Sequence, residues 1–527
     1  MQLDTSASGG QVVLRGTGGV ELASALNWYM NDYLNATYDW STYAEGQLPA
    51  AITSAGDQSG AAMALPLPLP ASKRVKTRAV PHSYYLNVCT HGYSLAFAPW
   101  EYWSRHIDWM AMNSVTIPLA FVGQVSPLLR PSPFCCLVSF RLAEIKRCGG
   151  RSTSGCSCSR ATTSVSRTNA ASTPVLPWQR MGNMRGFGGP LTEDWIHKRK
   201  ELNLKMLARM RGLGMTPALP AFGGHVPRNF TKLFPHANFS RSPDWSGFSG
   251  SDSATAAYAD VSMLETTDPL FVELGSKFIE LQTKVYSTDH LYQTDTFNEM
   301  PPPTNDTDYL ARSSRNTYAA MAAADPSAVW LMQAWLFTDG MFWQPAQIEA
   351  YLSGVATEKL WLLDLSGDSR PFWSQTESFA GHPFILCTLL NFGGQQGLNG
   401  NINRMRLGVQ AALAEDSSVV GVGLTMEGIW QNYPHYEATL QQAWREDTIA
   451  SKDAAAPADS KLESEEDMSM SADVCGYAPA SSGTFLAGYP ESLGCDPWLA
   501  EKGANPGTFG CAGRWPYNRS DPANAQA

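Results

Sequence analysis

Charge is scarce in this chain. Asp, Glu, Lys and Arg make up only 16% of its 527 residues, and 38 basic side chains stand against 48 acidic ones, a net charge of -10. A nucleic-acid binder normally carries a basic stripe that neutralises phosphates, so that class is excluded. No apolar run is long enough to cross a bilayer, since the apolar stretch 61–71 is broken by three prolines. The opening MQLDTSASGG has no charged region leading into an apolar one, so no signal peptide is visible. The ten cysteines do not read as a metal site. Five of them (Cys135, Cys136, Cys148, Cys156 and Cys158) crowd into one stretch, yet Cys156-Ser-Cys158 lacks the two-residue gap of a zinc knuckle and no histidine lies nearby. No Gly-rich dinucleotide fingerprint follows the first apolar run either, so neither a metal nor a cofactor is expected.

Aromatic residues, by contrast, are plentiful: 17 Trp and 19 Tyr. Most belong in a large core, and a few suit sugar-stacking surfaces. At 44% hydrophobic residues the chain can bury that core. Five N-x-S/T triplets, at Asn35, Asn229, Asn238, Asn305 and Asn518, point to a secretory route. Together with the missing leader they imply that an N-terminal segment has been lost. In an oxidising compartment Cys475, Cys495 and Cys511 have the opportunity to pair; Cys89 and Cys387 are scattered.

Residues 1–80 read as a small α/β domain and linker. VVLRG predicts a strand, and residues 20–33 place apolar side chains at helical spacing. From Tyr84 onward, eight short apolar runs follow, at 84–90, 114–121, 215–222, 290–297, 328–337, 360–365, 383–392 and 419–426. Between them lie helical patterns at 100–112, 194–210, 270–286, 313–323 and 403–414. Apolar runs that alternate with helices are what parallel strands buried on both faces look like. The expected fold class is α/β, a (β/α)8 TIM barrel over 81–446 preceded by the small domain, with a doubly wound sheet as the rival. Two segments break the texture. Residues 125–174 hold seven Lys or Arg and one acid, with no Trp or Tyr, and residues 447–527 turn acidic and then Gly- and Pro-rich. The tail is expected to be disordered.

Chemistry in a barrel sits where the strands end. The last residues of the runs, or those just beyond, are polar: Asn87 and Cys89, His225, Asn298 and Glu299, Trp335, Asp364, Asn391 and Glu427. Glu299 and Glu427 each follow an apolar strand directly. Two carboxylates facing across a pocket are the minimum kit for glycoside hydrolysis: one protonates the leaving oxygen, the other attacks or activates water. The Asn298 amide is placed either to hold the sugar's 2-substituent or to orient the acid. The Gly-Gly before His225 lets backbone approach a ligand closely. Cys89 is equally well read as a small buried filler, and Asp364 as a cap or ion-pair partner.

These residues sit in long motifs. GVELASALNWYMNDYLNATYDW, YYLNVCTHGYS, WSRHIDWMAMNSV, WQRMGNMRGFGGPL, MTPALPAFGGHVP, YQTDTFNEMPPP, VWLMQAWLF, NFGG and MEGIWQN occur in this order over about 20–124 and 175–446. In them the chain resembles the alpha-N-acetylglucosaminidases of glycoside hydrolase family 89. The resemblance implies a small α/β domain, a (β/α)8 barrel and removal of terminal α-linked GlcNAc with retention of configuration. It implies Glu299 as general acid/base and Glu427 as nucleophile, with the two carboxyls roughly 5–5.5 Å apart, as retention requires. It places Asn87, Cys89 and Tyr93 in the sugar pocket, with Trp178 (and Met181) and Asn183 of WQRMGN walling it. His225, Asn298, Trp335 and Asn391 are further substrate-binding candidates. The implied partner is a glycan with terminal α-GlcNAc, heparan-sulfate-like in animals, in a lysosomal, vacuolar or secreted setting. No nucleic acid or membrane is implied, and a homo-oligomer is compatible with the family.

The pattern also has departures. After Gln124 the family's aromatic-rich segment is replaced by the basic, Cys- and Ser-rich stretch, which reads like translated intron. Beyond Glu446 the family's helical C-terminal domain is missing from the pattern. Two functions of different class follow: a retaining exo-glycosidase, or an inactive family member that at most binds glycans weakly. A barrel enzyme acting on another α-hexosaminide is a third.

Overall fold

The computed structural model describes residues 1–6, 9–38, 67–124, 192–226, 230–241, 261–391, 400–415, 418–430 and 432–447. Eight strands form one parallel sheet: β1 (His82–Tyr85), β2 (Ile117–Pro118), β3 (Leu219–Pro220), β4 (Leu291–Gln293), β5 (Val329–Gln333), β6 (Leu360–Asp364), β7 (Phe384–Thr388) and β8 (Val419–Leu424). Their order in space is β2-β1-β8-β7-β6-β5-β4-β3, with every pairing parallel. The two outer strands then meet. A parallel bridge joins Leu119 to Ala218, and Thr216, Ala218 and Ala120 donate their amides to Thr116, Pro118 and Ala218 at 2.8–2.9 Å. That seam closes the ring, so the TIM barrel is present and the doubly wound rival is not.

The strands are shorter than the apolar runs that contain them. MTPALPAF contributes only Leu219–Pro220 to the ladder, and QTDTF leaves it after Gln293. Past the ladder, Thr294, Thr296 and Phe297 stay buried without strand geometry, while Ala221 and Phe222 are half-buried. Four of the five helices expected in the barrel lie within two residues of their predicted ends, while the one expected over 313–323 is Thr307–Ala322 and starts six residues earlier. The helix Trp100–Met112 matches its predicted span and buries Trp103, His106, Ile107, Trp109 and Met110 at three- and four-residue spacing. Side chains cap four others, with Thr192, Asp268, Asp306 and Asn401 accepting from amides of the first turns of Glu193–Gly212, Pro269–Tyr286, Thr307–Ala322 and Ile402–Ala414. Each such cap is worth about 1 kcal/mol.

Many of the described aromatics are core, as at Trp103, Trp109, Trp330, Tyr84, Tyr85 and Tyr292, all fully buried. β8 carries glycine where its side chains would enter the crowded interior. A Cβ on Gly423 would lie 2.7 Å from Cys387 Sγ and 3.0 Å from Tyr84 Cβ.

A second, antiparallel sheet holds the leading domain: Gln2–Thr5 lies between Val12–Arg15 and Arg74–Arg78, and the helix Gly19–Leu34 packs alongside. Its fourth strand, Trp444–Asp447, comes from the far end of the barrel and pairs with Arg74–Arg78. The small domain is therefore stitched to both ends of the barrel. A third sheet, His225–Val226, Ser262–Leu264 and Phe239–Arg241, stands on the loop after β3. Among the described residues, no helix is long and apolar enough to cross a membrane.

Candidate active site

All eight strands point the same way, so the residues that follow them gather on one face of the barrel. The segment after β8, Thr425-Met426-Glu427, is fixed from both sides. On one side the Asn87 amide donates to Thr425 O (2.9 Å) and the Thr90 hydroxyl donates to Met426 O (2.8 Å). The Asn87 carbonyl oxygen in turn accepts from the Cys89 amide at 2.9 Å. On the other side Asn391, beyond β7, accepts the Glu427 amide on its backbone oxygen (3.0 Å) and the Gly428 amide on Oδ1 (2.8 Å). Ser94 Oγ accepts from the Ile429 amide at 3.1 Å. Glu427 is thus held as part of a backbone lattice, and its side chain is half-buried. Leu86, a buried branched residue at φ +91°, supplies the sharp turn out of β1 that delivers Asn87.

Glu299 follows β4 through the turn Thr294–Asn298 and has φ +54°, a left-handed conformation that costs a non-glycine residue about 1–2 kcal/mol. Strain of that kind persists where surrounding contacts over-determine it. One such contact is visible: the Trp335 indole, in the 3-10 turn after β5, donates to Glu299 Oε1 at 3.1 Å. Tyr93 registers both acids. Burial raises its phenol well above the ordinary tyrosine value, and the charges of Cys89, Glu427 and Glu299 push it the same way. Glu299 and Glu427 therefore act on one common group, with Cys89, a buried thiol, beside it.

Next to this lies a cavity of about 80 Å³ lined by Val88, Phe121, Gly223, His225, Asp295 and Asn298, among others. The Asn298 amide is buried with neither its oxygen nor its nitrogen hydrogen-bonded, and His225 Nε2 is likewise buried without a partner. Burial lowers the His225 imidazole to about 4, so it is neutral near pH 7. Buried polar atoms with no partner cost free energy unless a ligand or water takes them up, and here two residues that line the cavity carry three such atoms. Among the described residues no group of three His, Cys, Asp or Glu is arranged to hold a metal ion.

Of the expected site residues, Glu299, Glu427, Tyr93, Cys89 and Trp335 share one neighbourhood, and His225 and Asn298 share the cavity. Asn87 and Asn391 direct their side chains to the backbone around Glu427. Trp178, Met181 and Asn183 lie outside the described residues. Asp364 caps a turn, with Oδ2 accepting from the Phe372 and Trp373 amides at 2.9 and 3.0 Å. Burial, with the charge of Asp368, raises its carboxyl to about 7. Sequence reasoning passed over Asp295, although an acid inside the apolar run HLYQTDTF was a visible signal. It also passed over Thr425, whose hydroxyl is 3.0 Å from Leu365 O and 3.1 Å from Thr388 O, tying β8 to the ends of β6 and β7.

The chain is similar in sequence and fold to known proteins. The alpha-N-acetylglucosaminidase TIM-barrel domain matches residues 83–130 and 166–446, and the N-terminal domain of the same family matches 2–52. The human alpha-N-acetylglucosaminidase is 37% identical over 455 residues, which are 85% of this chain and 55% of the human protein. A family 89 glycoside hydrolase from Clostridium perfringens, solved with 2-acetamido-1,2-dideoxynojirimycin, superposes with a TM-score of 0.67 at 27% identity, over 84% of this chain and 44% of that one. The Clostridium enzyme with two glutamates changed to glutamine, in complex with its substrate GlcNAc-alpha-1,4-galactose, gives 0.66 at 26% identity with the same coverage. The chain spans about half the length of these relatives. On the matched barrel and leading domain, the chain belongs to the alpha-N-acetylglucosaminidase family of glycoside hydrolases.

Proposed function

We propose that this chain is a retaining exo-glycosidase that removes terminal α-linked N-acetylglucosamine from glycans, with Glu427 as nucleophile and Glu299 as acid/base. The observation that carries this reading is the pair of carboxylates at the ends of β4 and β8, both acting on Tyr93 beside a cavity of unsatisfied polar groups. In the first step Glu427 bonds to the anomeric carbon as the glycosidic C–O bond breaks, and Glu299 gives its proton to the departing oxygen. Esterification removes the charge on Glu427, and Glu299 becomes the base. Water then gives it a proton and delivers hydroxyl to the anomeric carbon, freeing Glu427.

The Asn298 amide offers one donor face and one acceptor, which suits an acetamido group, and neutral His225 offers a hydroxyl partner. Tyr93 and Trp335 wall the sugar, Asn87 and Asn391 hold the nucleophile in place, and Cys89 fills the floor. Trp178 and Asn183 complete the substrate-binding set. A glycan with terminal α-GlcNAc is the partner, and the five sequons support a lysosomal, vacuolar or secreted setting.

The alternative, an inactive member that binds glycans weakly, is favoured by one observation: the family match skips residues 131–165. Turnover separates the two. The unsubstituted chain should release aglycone from an aryl α-GlcNAc and not from the α-GalNAc counterpart. Glu427→Gln should abolish release with an unchanged far-UV CD spectrum. Equal activity in both proteins would refute the nucleophile assignment, and no activity in either would favour the binding reading.

A further inference from the structure

Asp295 is a half-buried acid on the cavity wall, four residues before Glu299, that the two-carboxylate mechanism does not use. The β4–β5 ladder runs through Leu291↔Val329, Tyr292↔Trp330 and Gln293↔Leu331 and stops there. Beyond that point side chains connect the two segments. The Trp330 indole donates to Thr294 O at 2.8 Å, and the Gln333 amide donates to Asp295 Oδ1 at 2.7 Å. The Gln293 side-chain amide donates to Asp295 Oδ2, orienting the carboxyl. Gln333 is the last residue of β5, and the next turn carries Trp335, the donor to Glu299 Oε1. Two chain segments leave the barrel side by side, one bearing Glu299 and the other its hydrogen-bond donor, and Asp295 joins them at the root.

We propose that Asp295 is a positioning residue for Glu299, clamping the Gln333 amide so that the Trp335 indole meets the Glu299 carboxyl. The inference rests on the reading of Glu299 as acid/base. The site bears a cost for this acid: burial outweighs the two hydrogen bonds and raises the carboxyl to about 7. An apolar residue would avoid that cost and leave the Gln333 amide without its acceptor. The clamp needs an acceptor and no charge, so asparagine should serve in its place, with the Gln293 amide flipped to accept from it.

The test compares kcat/KM for two α-GlcNAc glycosides, one with a poor alkyl leaving group that needs protonation and one with 2,4-dinitrophenolate, which leaves without it. Asp295→Ala should lower kcat/KM about 10- to 100-fold on the alkyl glycoside, the scale of an ångström of misplacement, and change the dinitrophenyl glycoside little. Asp295→Asn should restore most of the loss, a rescue that damage to the fold would not show. If Asp295→Ala does not fold, Trp335→Phe removes the last donor in the relay; its loss from the sugar wall falls on both glycosides alike, and the ratio of alkyl to dinitrophenyl kcat/KM should still drop about 10-fold. Glu299→Ala is the control. If Glu299→Ala discriminates between leaving groups but the Asp295 and Trp335 variants lose both activities equally, or lose neither, the role of Asp295 is overturned alone. If Glu299→Ala does not discriminate, or the unsubstituted chain turns over neither glycoside, the acid/base reading falls and this inference with it.

Discussion

Lowering the pH from 7 to 5 should weaken this fold through His435. Its ring lies in the helix Tyr433–Gln441, with Nε2 3.1 Å from the Thr388 hydroxyl at the end of β7. Nδ1 is buried and has no hydrogen-bond partner, and Gly400 packs so closely that a Cβ there would lie 2.8 Å from it. Burial, the sole cause, lowers the imidazole from 6.5 to about 4. The unfolded chain therefore takes up a proton below 6.5 that the folded chain refuses until about 4. The contribution to stability is complete above 6.5 and is lost as the pH falls through that window. At about 1.4 kcal/mol per pH unit the loss is roughly 2 kcal/mol at pH 5 and roughly 3 kcal/mol by pH 4, as upper values. Asp295 and Asp364, both raised to about 7, act with the opposite sign over the same range. The effect is therefore read as a difference between proteins. His435→Gln keeps a partner for Thr388 and cannot titrate. Urea unfolding followed by tryptophan fluorescence at pH 7 and 5 should show the variant less stable at pH 7, with the gap narrowing by about 2 kcal/mol at pH 5. Parallel stability curves for the two proteins would refute the argument.

Other expectations follow from single contacts. Asn391→Ala removes the acceptor for the buried Gly428 amide and should lower kcat about 10- to 100-fold on an aryl α-GlcNAc, with a loss of about 1–3 kcal/mol in a thermal melt. Gly423→Ala pushes a methyl against Cys387 and Tyr84 and should destabilise by about 1–3 kcal/mol in a thermal melt. Asp325, just before β5, accepts from Tyr292 Oη at 2.7 Å and from the Ser327 amide at 3.1 Å, with His290 Nδ1 at 2.8 Å. Asp325→Ala should therefore cost about 2–4 kcal/mol in urea unfolding while leaving KM unchanged, because the cluster sits at the end of the barrel away from the site.

How legible each element was depends on how local its cause is. The helix Trp100–Met112 could be read end to end because Pro99 fixes its entry and its apolar spacing stops with it. The helices Pro345–Ser353 and Tyr433–Gln441 went unread, although a proline within the first two positions of each was a usable signal. Trp444–Asp447 could not have been placed from its neighbours. It pairs with Arg74–Arg78 across more than three hundred residues, and that register exists only once the barrel has closed. Strand lengths were overread for a physical reason: the apolar runs continue past the ladder to cover the rim, and burial does not require a strand. The site divides in the same way. Residue types at the strand ends pointed to Glu299 and Glu427, while the commitment of Asn87 and Asn391 to the backbone around Glu427 is a tertiary fact. Asp295 was overlooked because its significance lies in the Gln333 amide on the next strand.

The central claim is a two-carboxylate site that works by double displacement, and the stereochemistry of the first product tests it most directly. Proton NMR of the unsubstituted chain acting on an aryl α-GlcNAc should show the α-anomer of N-acetylglucosamine first, with the β-anomer growing in only as mutarotation proceeds. First appearance of the β-anomer would mean a single displacement by water and would contradict the assignment of Glu427 as nucleophile.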